Sequence, residues 1–361
     1  MNALGRFWLS VAALAVLGME AGAAEKAVAY DLKSWPTGRL RGVNMNLDSC
    51  SITREDVRHL AEDWGANHVR LQIFTHGIPL EFGEPGKSAA AYLEQKVDPV
   101  VAWCGEFGLS VVLDSHGAPG NPKGWSDRPL WEDFKWHENF VRLWREIAAH
   151  YRDNRTVVAY ELLNEPNMKK EVEGAPSDWL PLAKRLTAAI REVDEYHTIV
   201  MTPVNWSNPG AFPRLEPTGD PNTIYTFHMY APHSFTHQGI RGARTGISYP
   251  NMEDGRQLDK AALQRILQPA LDFQKEYGLP RLYCGEFSAV IWAPGDSAYN
   301  YLRDVLDIFE ASGWDWAYHA YRESKVWSLE HEAPDPDHIQ EAETTNRLEL
   351  FLDHFARNAQ D

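Results

Sequence analysis

Two acidic side chains stand where apolar runs stop. In YELLNEPN, residues 160–167, the run ends in Asn164, Glu165 and Pro166, and in RLYCGEF, residues 281–287, Glu286 all but closes a second. Ionised carboxylates are kept out of cores unless they are paired, so an acid at a strand end is placed for chemistry more readily than for packing. Two carboxyl groups facing each other at about 5 Å are the arrangement of retaining glycosidases. On that reading Glu286, kept ionised, attacks the anomeric carbon of a sugar, while Glu165, protonated at first, donates to the leaving oxygen and then serves as base toward water. Arg70 in VRLQ can pair its planar fork with Glu286 and favour the anion. Tyr230 can donate to Glu286, and Asn164 is placed to hold the 2-hydroxyl of the sugar. The plainer alternatives are a turn acid before a Pro-opened helix for Glu165 and a structural ion pair with Arg70 for Glu286. The second is compatible with the catalytic role, and a partner acid at another strand end weighs against the first.

These residues need a frame that brings distant parts of the chain together. Short β-branched or apolar runs start at Leu40, Asn67, Leu109, Val157, Thr198, Thr223, Arg281 and Trp314, which makes eight candidate strands. Amphipathic stretches alternate with them. In TREDVRHLAEDWG, Thr53 can cap a helix whose Val57, Leu60, Ala61 and Trp64 share one face. The run from Pro209 to Pro221 carries the weakest helical pattern. Repeated strand–helix units predict an α/β fold, a single-domain (β/α)8 TIM barrel, with no linker to a second domain. The C-terminal strand ends then gather Asn44, Asn46, Arg70, Asp114, His116, Asn164, Glu165, Asn205, His228, Tyr230, Glu286, Trp316 and His319 on one face, where barrel sites are built. Long loops after the third strand (residues 117–136) and the sixth (231–258) border that face.

The formal net charge of -16 excludes a polyanionic partner such as nucleic acid, which is held by clustered Lys and Arg. A neutral ligand is expected, and 14 tryptophans include enough to supply rings that stack on sugar faces. Trp125, Trp131, Trp136, Trp206 and Trp292 fall in or beside strand-to-helix loops, where each could bind or pack. Trp64, Trp103 and Trp144 lie on helical stripes and read as core. The N-terminus has Arg6, an apolar stretch from Phe7 to Met19 and small residues through Ala24, the layout of a secretory signal peptide over residues 1–24. The mature domain is then expected over 25–361, secreted or periplasmic, with no membrane association. Cys50, Cys104 and Cys284 have no C-x-x-C spacing, which speaks against a zinc site or a disulfide framework. His228, His233 and His237 lack the H-E-x-x-H spacing of a zinc hydrolase, and the acids from Glu253 to Asp259 lack the EF-hand order. No cofactor or metal is expected.

LLNEPN, followed far downstream by YCGEF, together with VRLQ, DSHG and FHMY at the expected strand ends, resembles glycoside hydrolase family 5, the cellulase family of the large retaining clan built on (β/α)8 barrels. The resemblance runs from about Leu40 to Asn358. It implies Glu165 as acid/base, Glu286 as nucleophile, Asn164 as 2-hydroxyl ligand, Arg70 near the nucleophile, His116 and His228 as hydrogen-bonding walls and Tyr230 beside Glu286. The eighth strand departs from the family pattern: aligning W-x-x-W puts His319 where the family usually has a tryptophan platform, so that either Trp316 serves or His319 replaces it. Arg322, Glu323 and Trp327 follow on the same rim. The activity implied is a secreted retaining β-glycosidase, foremost an endo-β-1,4-glucanase acting on a polysaccharide or oligosaccharide. A mannanase or another β-glucanase is the alternative within the family. A carbohydrate-binding barrel without catalysis is the alternative outside it, and the presence of both carboxylates weighs against that.

Overall fold

The computed structural model describes residues 29–74, 89–120, 127–167, 179–253 and 255–359. The signal-peptide layout, Trp125 and residues 121–126 of the loop after the third strand lie outside these residues. Eight parallel strands close a barrel: β1 (Arg41–Asn46), β2 (His68–Ile73), β3 (Ser110–Ser115), β4 (Val157–Glu161), β5 (Thr198–Met201), β6 (Thr223–Met229), β7 (Tyr283–Phe287) and β8 (Asp315–Tyr318). Each lies within one of the eight runs read from the sequence. β8 closes on β1 through the register Arg41↔Trp316 and Gly42↔Ala317. The strands are buried on both faces, so they read as near-continuous apolar runs.

Helices α1 (Arg54–Arg58), α2 (Asp98–Glu106), α3 (Lys135–Tyr151), α4 (Leu180–Arg191), α5 (Lys260–Tyr277), α6 (Ser297–Ser312) and α7 (Asn346–Phe355) surround the barrel. Thr53 and Asp56 form a reciprocal capping box that starts α1, which then widens into a further turn at His59–Asp63. α3 buries Phe140, Leu143, Trp144, Ile147, Ala148 and Tyr151, the i, i+3, i+4 stripe that docks a helix on a sheet. Gly278 and Gly313 end α5 and α6 in the left-handed conformation, which costs glycine least. Between β5 and β6 there are only two short turns, Val204–Ser207 and the six-residue 3₁₀ turn Pro209–Arg214, where prolines interrupt helix propagation.

The barrel's lower end is filled by Leu40, Val112, Val158, Ala159, Val200, Ile224, Tyr283 and Ala317 together with Trp35. Asp315 anchors the segment that covers this end. It accepts from the Trp35 indole at 2.8 Å and the Leu40 amide at 2.9 Å. With the bottom sealed by apolar side chains, the polar inward residues lie toward the C-terminal strand ends. Two small antiparallel hairpins, Asn251–Glu253 with Arg256–Leu258 and His331–Glu332 with Gln340–Glu341, belong to the loops after β6 and β8. No helix among the described residues is long and apolar enough to cross a membrane.

Candidate active site

Arg70 is the centre of the upper barrel. Its side chain is fully buried, and β2 aims it inward at the level where β1, β3, β4 and β7 also present polar groups. Nε and Nη2 donate to the two oxygens of Glu161 at 2.7 and 2.8 Å. Nη1 donates to Glu286 Oε1 at 2.7 Å and to Asn44 at 2.8 Å, and Nη2 donates to the Asn164 side-chain oxygen at 2.8 Å. Asp114 approaches Nη2 at 3.1 Å. One guanidinium thereby faces three buried carboxylates, a use of the five-donor fork that a lysine could not copy.

Glu286 reaches this cluster through a break in strand register. β6 and β7 pair Phe227↔Cys284 and then His228↔Glu286, so Gly285 is skipped. Alternation sends Tyr283 into the barrel and Cys284 outward, which would leave Glu286 facing outward as well. The bulge turns it into the mouth instead, and Phe287 then packs outward against Phe309, Trp316 and Tyr318. A side chain at the skipped position would be crowded: a Cβ at Gly285 would lie 3.0 Å from Thr226 Oγ1, 3.1 Å from His228 Nε2 and 3.3 Å from Arg70 Nε, so these neighbours would have to give.

In that place Glu286 takes hydrogen bonds from Arg70 on one oxygen and from the Tyr230 hydroxyl, at 2.9 Å, on the other. His228 Nδ1 and His319 Nδ1 each lie 3.7 Å from Oε2. Burial alone would raise the carboxyl's pKa, but the positive charges of His228, His319, Arg70 and His116 hold it well below the usual carboxylate range. Burial and the Glu286 charge push the Tyr230 hydroxyl far up, so it remains a donor. Glu165 sits across the mouth, where its Oε1 meets His228 Nδ1 at 2.7 Å. Burial would lower His228, yet Glu286 and the hydrogen-bonded Glu165 raise it above its ordinary value. One atom each from Glu165, His228 and Glu286 all lie within 4.8 Å of one another. His116 Nδ1 is tied to Asp114 at 2.7 Å, which raises its pKa against the opposing effect of burial, and its Nε2 faces the Asn164 amide at 3.5 Å.

The structure thus brings Arg70, His116, Asn164, Glu165, His228, Tyr230, Glu286 and His319 into one pocket mouth. Trp316 is a correction: it is not a platform. Strand alternation points Asp315, Ala317 and His319 inward and Trp316 outward. Its indole is wholly buried between β8 and α7, 5.5 Å from the Phe355 ring and 5.7 Å from that of Phe351, with Nε1 donating to Glu310 at 3.1 Å. His319 takes the inward position. The aromatic ring beside it is Trp327, half-buried, with its centroid 6.5 Å from His319 and 6.3 Å from Tyr230.

Of the loop tryptophans, Trp131 and Trp292 are buried, with indole N–H groups bonded to Asp127 and the Gln238 carbonyl. Trp206 is half exposed, on a turn where Asn205, Trp206 and Ser207 all have positive φ. Ser207 pins that turn to the carbonyl of Asn164 at 2.8 Å, next to Glu165. Such strain in non-glycine residues persists only where surrounding contacts enforce it. The histidine loop does not converge: His233 and His237 stack on each other at 3.8 Å, away from His228 on its strand. Cys50, Cys104 and Cys284 are free thiols. Arg322 turns out of the mouth to Asp56 and Glu330. Glu161 is the site residue that reading strand ends overlooked. It is the last residue of β4, in inward phase with Ala159, whereas the run VVAYELLN carries on past it to Asn164.

Comparison with known proteins gives this arrangement a family. The chain is 29% identical over 287 residues to endoglucanase C of Acetivibrio thermocellus, covering 72% of this chain and 80% of that one. It is 24% identical over 293 residues to cellodextrinase A of Ruminococcus flavefaciens, covering 76% and 83%. The fold superposes on the endoglucanase Cel5A of the hyperthermophile Thermotoga maritima with a TM-score of 0.70 at 24% identity, over 86% of this chain and 96% of that one. The model of the cellulase family, glycosyl hydrolase family 5, matches residues 28–325, and the chain belongs to that family of glycoside hydrolases.

Proposed function

We propose that this protein is a secreted endo-β-1,4-glucanase that cleaves β-1,4-glucan with retention of anomeric configuration. The observation that carries the reading is the pair of carboxylates whose nearest atoms lie within 4.8 Å across one mouth, the spacing of double displacement and too close for a water to attack between them. Glu286 attacks C1 as the glycosidic C–O bond breaks, and Glu165 gives its proton to the departing oxygen. Water then attacks C1 of the glycosyl ester, Glu165 takes the water's proton, and Glu286 leaves as a carboxylate. Arg70 and Tyr230 hold Glu286 by both oxygens, which keeps it charged and aimed. His228 holds Glu165 from the side wall. Asn164, oriented by Arg70, is turned toward the sugar's 2-hydroxyl, where hydrogen bonding strengthens in the oxocarbenium-like transition state. The choice of β-1,4-glucan follows relatives named endoglucanase and cellodextrinase. Export is supported by the apolar run from Phe7 to Met19.

The test is hydrolysis of carboxymethylcellulose, lichenan, mannan and xylan, with the product anomer followed by NMR. Fast viscosity loss on carboxymethylcellulose and an initial β-anomer are expected. Glu286→Gln should lose turnover while still binding oligosaccharide. Glu165→Ala should keep activity on aryl glycosides with good leaving groups and gain rate with azide. An initial α-anomer, or a Glu286→Gln variant with wild-type turnover, would refute the mechanism.

A further inference from the structure

His319 is an inward member of the mouth that the two displacement steps leave unassigned. It follows β8 and stands between two acids: Nδ1 lies 3.7 Å from Glu286 Oε2, and Nε2 lies 3.6 Å from Glu323 Oε2. Glu323 is held from behind by Asn46, whose Nδ2 donates to Oε1 at 2.9 Å. The His319 and Glu323 side chains are only 11% and 10% exposed. His319 Nδ1 and Glu323 Oε2 are buried with no hydrogen-bond partner among the described residues. Buried polar atoms in that state call for a partner, and contacts a few tenths of an ångström too long in a free site tighten when substrate fills it. Neither orphaned atom is open to solvent, which favours contact within the protein over direct contact with a sugar hydroxyl.

We propose that His319 and Glu323 are a positioning pair for the nucleophile: Glu323 orients the imidazole, and the imidazole presents Nδ1 to the Glu286 oxygen that Tyr230 also serves. The proposal rests on Glu286 being the nucleophile. It assigns a function to the position where the sequence departs from the family's tryptophan. Glu286 loses its charge when it becomes a glycosyl ester and regains it when it leaves. An N–H donor held at Oε2 stabilises the leaving carboxylate, and Glu323 keeps that donor in place while Glu286 is neutral. No proton is transferred through the pair. The other groups facing Glu286 are Arg70 from β2, His116 after β3, Glu165 after β4, and His228 and Tyr230 from the end of β6. His319 also faces His237 in the loop after β6.

The experiment is the pH dependence of kcat/KM, between roughly pH 3 and 8, on 4-nitrophenyl β-cellobioside for wild type, H319Q, E323Q and the double variant, with melting temperatures alongside. Removing the imidazole beside Oε2 raises the Glu286 pKa, so activity that wild type keeps at the acid edge of the window is lost in H319Q, whose acidic limb moves up into it. E323Q should move it the same way by less, and the double variant should match H319Q, because the two act as one unit. An unmoved limb with a lower melting temperature would show a structural role and overturn the proposal. So would additive shifts, or a rise in KM alone, which would mark a sugar ligand. E323Q is isosteric and carries the test if H319Q does not fold. A wild type that hydrolyses neither this substrate nor soluble β-glucan overturns the glycanase reading, and this proposal with it. Hydrolysis with an unmoved limb overturns the pair alone.

Discussion

Replacing Arg70 with methionine tests the central cation directly. The substitution leaves Glu161, Asp114 and Glu286, with side chains 0%, 0% and 6% exposed, without their shared partner. Removing one member of a buried ion pair costs about 3–5 kcal/mol, and with three acids affected the loss at neutral pH should reach at least the upper end of that range. The pH dependence has a definite sign. In wild type Glu286 is held below its unfolded value, so it contributes stability above that value and loses it as pH falls. Burial already raises the Glu161 carboxyl against the pull of Arg70, and the methionine variant removes that pull, so its folded state binds more protons above the unfolded value of about 4 and stability falls as pH rises through that window. The deficit against wild type is therefore largest near pH 7.5 and shrinks toward about pH 5. Arg70→Lys keeps the charge but cannot reach five acceptors. It should lose about 1.5–3 kcal/mol for each unmet charge-assisted bond. Urea unfolding of both variants at several pH values measures this. A methionine variant within about 1 kcal/mol of wild type at neutral pH, or a deficit that does not shrink on acidification, refutes the view that Arg70 neutralises the cluster.

Two further outcomes separate packing from binding. Trp316→Phe should lower stability by about 1–3 kcal/mol through a cavity and a lost bond to Glu310 while KM on cello-oligosaccharides stays put, whereas Trp327→Ala should raise KM about tenfold or more. The reverse pattern, read by thermal melting and steady-state kinetics, would restore Trp316 as the platform. Gly285→Ala puts a methyl against Arg70, His228 and Thr226, so kcat should fall by at least about tenfold with a stability loss of only about 1–3 kcal/mol. Wild-type kcat in a folded Gly285→Ala variant would show that the bulge tolerates a side chain.

The barrel was legible because its strands are buried on both faces. Runs such as LSVVLD and TIYTFHM stay apolar without alternation, and between them α3 and α6 keep a clean helical stripe. The same double burial hid which way each strand residue points. In WDWAYHA the set Asp315, Ala317 and His319 alternates with Trp314, Trp316 and Tyr318, but both faces are buried, so alternation alone does not say which set faces the barrel axis. Only the closed register with β1 decides it. Glu161 escaped for the related reason that the run continues through Leu163 to Asn164, so the end of β4 at Glu161 is not visible in residue type. The partner that makes an acid tolerable there, Arg70, lies two strands away and is joined only by barrel closure.

Glu286 reaches the mouth for a reason that residue alternation does not supply. Counting alternate residues from Tyr283 assigns it to the outer face, where it would meet the aromatic packing that Phe287 fills. What reverses the phase is a bulge in a parallel pair, which depends on β6 as much as on β7. The local sequence offers only the glycine before the acid as a hint. The chemistry explains why the irregularity is kept. A regular strand could aim Gly285 or Glu286 into the mouth but not both. The inward Gly285 leaves room for the Arg70 and His228 side chains, so that the next residue can turn in and be held by both. The site is thus a property of paired strands in register, with residue type supplying the carboxylate and backbone geometry aiming it.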